Sequence, residues 1–205
     1  MLYYGLKKLG EKYSLSTSEF TAELCPPFLN YEFHERPYCK ALNDIIIREI
    51  SFIKPDYVVL NARWDYHYDF SKLKNTIVAL KKLNIPNVVI MGPSPLWIAP
   101  LPNLLFKYWK FNPKHSMPPQ YMRFGMDPRL PFLDQKMQKI AQGLGVHYIS
   151  SYHKLCNKNG CLTRVNNEPG SIANFDEQHL TPPASEYLIN AIAGYFSAPP
   201  PAAAH

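Results

Sequence analysis

Apolar residues along this chain recur in two rhythms that take turns. Leu2, Leu6, Leu9 and Tyr13 keep a helical spacing and predict a helix over 2–13 that begins without a cap. Positions 20–24 alternate and predict a short strand, after which Cys25-Pro26-Pro27-Phe28 opens an irregular loop reaching to about Pro37. Leu42, Ile45, Ile46, Glu49 and Ile53 predict a helix over 40–52 with one mostly buried face. Tyr57-Val58-Val59-Leu60, Asn87-Val88-Val89-Ile90-Met91 and Val146-His147-Tyr148-Ile149 are short apolar runs of the kind that form strands covered on both sides. Helical spacing fills 70–83 and 133–144, the latter closed by Gly145. The rhythm is lost over 94–131 among prolines, aromatics and lysines, with room for one short helix at 101–109. A last helix is predicted over 182–196, with Thr181 as N-cap and Pro182 as its first residue.

Strands alternating with helices predict an α/β domain in three layers, a parallel sheet with helices on both faces. Sites in such sheets form beyond the carboxyl ends of the strands, which here selects the loops 61–69, 92–131 and 150–179. The Pro/Ala-rich end, 198–205, is expected to be disordered, leaving one domain over 1–197.

Composition changes this picture only in part. The formal charge is +6, yet the 22 basic residues are scattered and no Lys/Arg block marks a nucleic-acid footprint, so no nucleic-acid partner is expected. No apolar run reaches the ~18 residues of a membrane span, and the first residues lack a signal-peptide pattern. The 4 cysteines fall into local pairs, Cys25 with Cys39 and Cys156 with Cys161, the second enclosing Asn159-Gly160 as a turn. Local pairing gives two disulfides and an oxidising compartment; the alternative is four reduced thiols.

The chemistry concentrates in Phe175-Asp176-Glu177-Gln178-His179-Leu180-Thr181, a short loop directly before the last helix. A carboxylate three residues before a histidine can accept one ring N–H and leave the other nitrogen as a general base. The plainer alternative is a capping aspartate beside a surface histidine.

Asp176-x-x-His179-Leu180-Thr181 before a final helix resembles the last block of the SGNH (GDSL-like) hydrolases. Together with Cys25-Pro26-Pro27, Leu60-Asn61-Ala62-Arg63-Trp64, Leu155-Cys156 and Gly160-Cys161-Leu162 in the same order, the pattern resembles one branch. That branch is the SGNH domain fused behind membrane-embedded acyltransferase-3 proteins that O-acylate surface polysaccharides, and the likeness runs from residue 1 to about 196. It implies a flavodoxin-like αβα fold, a periplasmic or otherwise extracytoplasmic location, and acyl or acetyl transfer between an acyl donor and a glycan acceptor, or ester hydrolysis. An attached or associated transmembrane acyltransferase domain is the implied partner, and no cofactor or metal is expected.

By this likeness His179 is the base and Asp176 the residue that orients it. The family nucleophile is the serine of a Gly-Asp-Ser block at the end of the first strand. This sequence holds no Gly-Asp-Ser and begins within what corresponds to the first helix, so the strand and its serine are expected upstream in a longer protein. Ser94, Ser150 and Ser151 lie on other loops. As given, the chain is expected to lack serine-dependent esterase activity. Asn61 and Arg63 stand where the family has its oxyanion donors, Arg63 in place of an asparagine; alternatively Arg63 pairs with Asp65 or Asp69. Trp64 and Trp97 are candidates for stacking on sugar rings, with a core role as the alternative. The aromatic segment 97–124 reads as a lid, a glycan-binding surface or a loop packed on its own rings. Two further readings remain open: a non-catalytic domain binding glycan or a partner, and a metal-dependent hydrolase using Asp65, His67 and Asp69. His34, His115, His147 and His153 show no partner in the sequence and read as ordinary loop or core residues.

Overall fold

The computed structural model describes residues 2–197 apart from Phe33 and Glu35, so the expectation for 198–205 lies outside the described residues. The chain divides into two compact units, one of residues 19–93 and 132–150, the other of 1–18, 94–131 and 151–205.

The first of these holds the parallel sheet. Strand β1 (Tyr57–Leu60) pairs with β2 (Asn87–Met91), Tyr57 opposite Asn87 and Leu60 opposite Ile90. On its other side β2 pairs in parallel with β4 (His147–Ile149), Met91 opposite Ile149, so the order is β1-β2-β4. Only β2 is buried at every position. β1 is buried at alternate residues and β4 at its last, so the expectation that all three strands are covered on both sides is corrected to the central one. An edge strand has a neighbour on one side only, and its side chains are correspondingly more open.

Helices α2 (Tyr38–Ile53) and α3 (Leu73–Lys82, preceded by a short 3-10 turn over Phe70–Lys72) belong to this unit, as does all but the start of α5 (Leu130–Gly143). In α2 the buried residues are Cys39, Asn43 and Ile50, whereas Ile45 and Ile53 are exposed, against the face expected for them. The reason is the loop after Cys25: Asn43 Nδ2 donates to the carbonyls of Pro26 and Phe28, and the Cys25–Cys39 disulfide ties the loop to the first turn of the helix. Thr76 secures the same loop from α3, its hydroxyl donating to Pro27 O and accepting from Leu29 N–H. Phe28 is thereby held fully buried against Trp64, Tyr68 and Phe70. The strand expected at 20–24 does not form. Leu24 takes a left-handed φ of 55° in a turn closed by Cys25 N–H to Ala22 O, and no strand among the described residues pairs with this segment.

In the other unit α1 (Tyr3–Tyr13) packs on α7 (Pro182–Asn190). Gly5 makes this possible: a Cβ there would stand 2.5 Å from Ser185 O and from Ile189 Cγ1. Its N–H, which has no partner within the first turn of α1, donates to Ser185 Oγ at 3.0 Å. The last helix is shorter than expected, ending at Asn190, with a separate turn α8 at Gly194–Ser197 after the break at 191–193. The same unit contains α4 (Leu101–Phe111), β3 (Tyr121–Met122), α6 (Ser151–Leu155) and the hairpin β5 (Cys156–Asn157) with β6 (Gly160–Leu162). Cys156 and Cys161 face each other across that hairpin and are joined, as expected, by the second disulfide. Gly160, at φ 123°, lies so close to β3 that a Cβ would stand 2.2 Å from the Met122 carbonyl carbon.

Candidate active site

The loop 172–181 is built by its own hydrogen bonds and braced by the 94–101 segment. Asn174 bridges to Leu180, Phe175 N–H donates to His179 O, and Thr181 N–H donates to Ala173 O. Thr181 then caps α7, its Oγ1 accepting from Ala184 N–H and donating to Ile172 O. From outside the loop, Trp97 N–H donates to Glu177 O and Leu101 N–H, the first of α4, to Asp176 O. The Trp97 indole N–H reaches Asn174 Oδ1 at 3.2 Å. None of these braces is visible as a motif; Trp97 and Asn174 lie 77 residues apart.

Within this frame the two Asp176 oxygens have separate tasks. Oδ1 accepts from the backbone N–H of Gln178 at 2.8 Å and of His179 at 2.7 Å. Oδ2 is then left for the ring, and Nδ1 of His179 approaches it at 2.5 Å. Burial opposes ionisation of this carboxyl, but the hydrogen bonds from Gln178, the His179 backbone and the His179 ring outweigh it and hold its pKa below the ordinary value of 3.8. An ionised carboxylate assigns the Nδ1 proton to the shared bond and leaves Nε2 as the basic nitrogen. Nε2 makes no hydrogen bond among the described residues, and the imidazole is 45% exposed. Phe175 stacks on the ring, centroids 5.6 Å apart and planes within 12°, fixing its second angle. The spacing D-x-x-H is legible in sequence; the stacking of the adjacent Phe175 is a contribution that spacing did not reveal.

The remaining candidates behave differently. Asn61, half-buried, and Arg63, exposed, follow β1 in the sheet-containing unit. Arg63 forms no ion pair with Asp65 or Asp69 among the described residues: Asp65 accepts from His67 N–H, and Asp69 caps the turn at Ser71 and approaches Lys72. Trp64 is 3% exposed, its indole N–H donating to Met91 O and its ring among Phe28 and Phe70. Trp97 is 2% exposed. With both rings enclosed, neither offers a face to a sugar, and of the two readings the core role holds for both while sugar stacking is set aside. Ser150 Oγ donates to Asp134 Oδ1, Ser151 is fully buried, and Ser94 is half-buried; none hydrogen-bonds His179. Among the described residues no group of three or more His, Cys, Asp or Glu could hold a metal ion, so the Asp65, His67 and Asp69 set does not assemble into a ligand cluster. No described helix is long and apolar enough to cross a membrane.

Comparison with known proteins agrees with this architecture. The family model described as the SGNH domain fused to AT3 domains matches residues 1–194. Among solved structures, the chain is similar to the periplasmic domain of a lipopolysaccharide acetyltransferase from Salmonella ser. Paratyphi A. The TM-score is 0.84 at 28% identity, covering 95% of this chain and 78% of that one, which bears out the expected α/β SGNH fold. No curated protein matches. A parallel sheet flanked by helices, the Asp-x-x-His loop before the last long helix and a family match across nearly the whole chain lead to one conclusion: this chain belongs to the SGNH domain family fused to AT3 domains.

Proposed function

We propose that this domain takes part in acyl transfer, in the simplest case acetyl transfer, to a hydroxyl of a surface glycan, with His179 as general base and Asp176 as its orienting partner. The observation that carries the reading is the Asp176–His179 pair, in which one carboxylate oxygen is held by two backbone N–H groups and the other by Nδ1 at 2.5 Å. A carboxylate so anchored stabilises the imidazolium that forms when Nε2 accepts a proton. The nucleophile is proposed to be a serine of a Gly-Asp-Ser block elsewhere in the intact polypeptide.

In the first half-reaction the serine hydroxyl loses its proton to His179 Nε2 as Oγ bonds to the acyl carbonyl carbon. The oxyanion collapses, the bond to the donor breaks, and the leaving group takes the proton from Nε2. A glycan hydroxyl then repeats the sequence on the acyl-serine, giving the glycan ester and restoring the serine. Arg63, exposed and without an ion-pair partner among the described residues, is the proposed oxyanion donor, assisted by Asn61. The two disulfides, the family's fusion to AT3 domains and the neighbour's periplasmic origin support an extracytoplasmic site of action beside an attached transmembrane acyltransferase domain.

The test is acyl transfer to cell-surface glycan by the intact protein. His179→Ala is expected to abolish it with the protein still present at wild-type level. Undiminished transfer by His179→Ala would contradict the assignment. The absence of Gly-Asp-Ser from these 205 residues favours one other reading, a non-catalytic glycan- or partner-binding domain. That reading predicts transfer indifferent to both His179 and Asp176.

A further inference from the structure

The outer face of α4 is unlike any surface expected of a helix that merely covers a core. Leu101 and Leu104 are buried and Leu105 and Tyr108 half-buried, so this stripe faces inward. On the outer side two parallel stripes run the length of the helix at i, i+4, i+7 spacing: Pro102, Phe106 and Trp109, and beside them Asn103, Lys107 and Lys110. Phe106 is 60% exposed, Trp109 42% and Phe111, the last helical residue, 75%. Phe106 and Trp109 form one apolar patch rather than isolated contacts. Phe106 lies 5.9 Å from Trp109, and His115 folds back to 5.1 Å from Trp109, its Nδ1 hydrogen-bonded to Trp109 O. That return turn, fixed by Asn112 to Lys114 N–H and to Ser116 Oγ, also brings Lys114 to the same end.

Charge is as one-sided as hydrophobicity. No acidic residue occurs in the sequence between Asp69 and Asp127, and Asp127 is itself paired with Arg129. Asp176 meets α4 at its beginning, its backbone carbonyl accepting from Leu101 N–H, at the opposite end from Lys110.

We propose that this face of α4 docks on an anionic lipid surface, with Phe106 and Trp109 entering the headgroup–acyl boundary and Lys107, Lys110 and Lys114 meeting lipid phosphates. An interfacial helix needs an aromatic flank beside a cationic one, and α4 has both. A soluble glycan is the less suitable occupant: a sugar-binding platform presents hydrogen-bonding carboxylates and amides around its rings, and this one presents phenyl rings and ammonium groups. The inference stands apart from the proposed triad, because none of its residues belongs to the Asp176–His179 pair.

Of the 3 tryptophans only Trp109 is exposed, so a change in emission on docking reports this face. The experiment titrates the 205-residue chain with phosphatidylcholine vesicles with and without about 30% phosphatidylglycerol. Binding to the anionic vesicles with a blue shift of tryptophan emission is expected, and sedimentation with the vesicles checks it. Phe106→Ser with Trp109→Ser, read by sedimentation, should reduce the affinity at least about tenfold, and Lys107→Gln, Lys110→Gln and Lys114→Gln together by roughly fivefold per lysine. Phe52→Ser, an equally exposed aromatic in the other unit, should change nothing. No sedimentation with anionic vesicles, equal loss in Phe52→Ser, or a fluorescence response to soluble oligosaccharide but not to vesicles would overturn the proposal.

Discussion

The Asp176 carboxylate is held by three donors from residues within three positions of it, which explains why so much of this site is legible from seven consecutive letters. Asp176→Asn keeps the shape and loses the charge. In the intact protein it should lower the turnover number by about 10⁴-fold with little change in KM, because the amide favours the wrong imidazole tautomer. The same carboxylate carries a stability signature. Its folded pKa lies below the ordinary 3.8, so its contribution is complete above that value and is lost as pH falls through the lower folded value. Urea unfolding of wild type and Asp176→Asn from about pH 2 to 6 should therefore show a stability gap that closes toward the acid end. A gap that widens toward low pH would mean the carboxyl is protonated in the folded protein. The parts of the site that spacing hides are those assembled over distance. The Trp97–Asn174 bond spans 77 residues, and no local pattern announces that an indole will brace the turn beneath a histidine. For the same reason Trp97 and Trp64 looked available to sugars: their types are shared by stacking platforms and cores, and only burial separates the two uses.

Among the elements, helical spacing located α1, α2, α3, α5 and α7, and short apolar runs located all three strands of the parallel sheet, because these are segments whose own side chains must bury a face. Periodicity erred where the neighbour, not the segment alone, decides. The loop that Asn43 and Cys39 hold joins Ile46, Ile47 and Ile50 in setting the face of α2 and leaves Ile45 and Ile53 exposed, and an alternating stretch at 20–24 without a partner strand stays irregular. The contact of α1 with α7 turns on a missing side chain, which no hydrophobic pattern can show. Gly5→Ala should destabilise the protein by about 1–3 kcal/mol, since its methyl would meet the backbone of Ser185. Gly143→Ala, in an exposed helical turn with nothing within 4 Å, should instead stabilise by about 0.5–1 kcal/mol. Chemical denaturation of the two variants checks both signs; equal effects would show that helix propensity alone, and not the close approach, governs Gly5.

For the whole molecule, the two disulfides close loops of 14 and 5 residues in sequence separation, one in each compact unit. Replacing Cys25 and Cys39 by serine should cost about 2–4 kcal/mol, read as a lower unfolding midpoint that added reductant does not lower as far as it lowers wild type. An unchanged midpoint would show that Asn43 and Thr76 hold the loop without the bridge. His179 and Asp176 are proposed to activate a serine of the same polypeptide. The most direct measurement is the rate at which a fluorophosphonate labels the intact protein, with the modified residue located by mass spectrometry. A single serine in a Gly-Asp-Ser block should be labelled, with the rate falling by several orders of magnitude in His179→Ala and in Asp176→Asn. Labelling at an undiminished rate in either variant, or no labelled serine at all, would contradict the account.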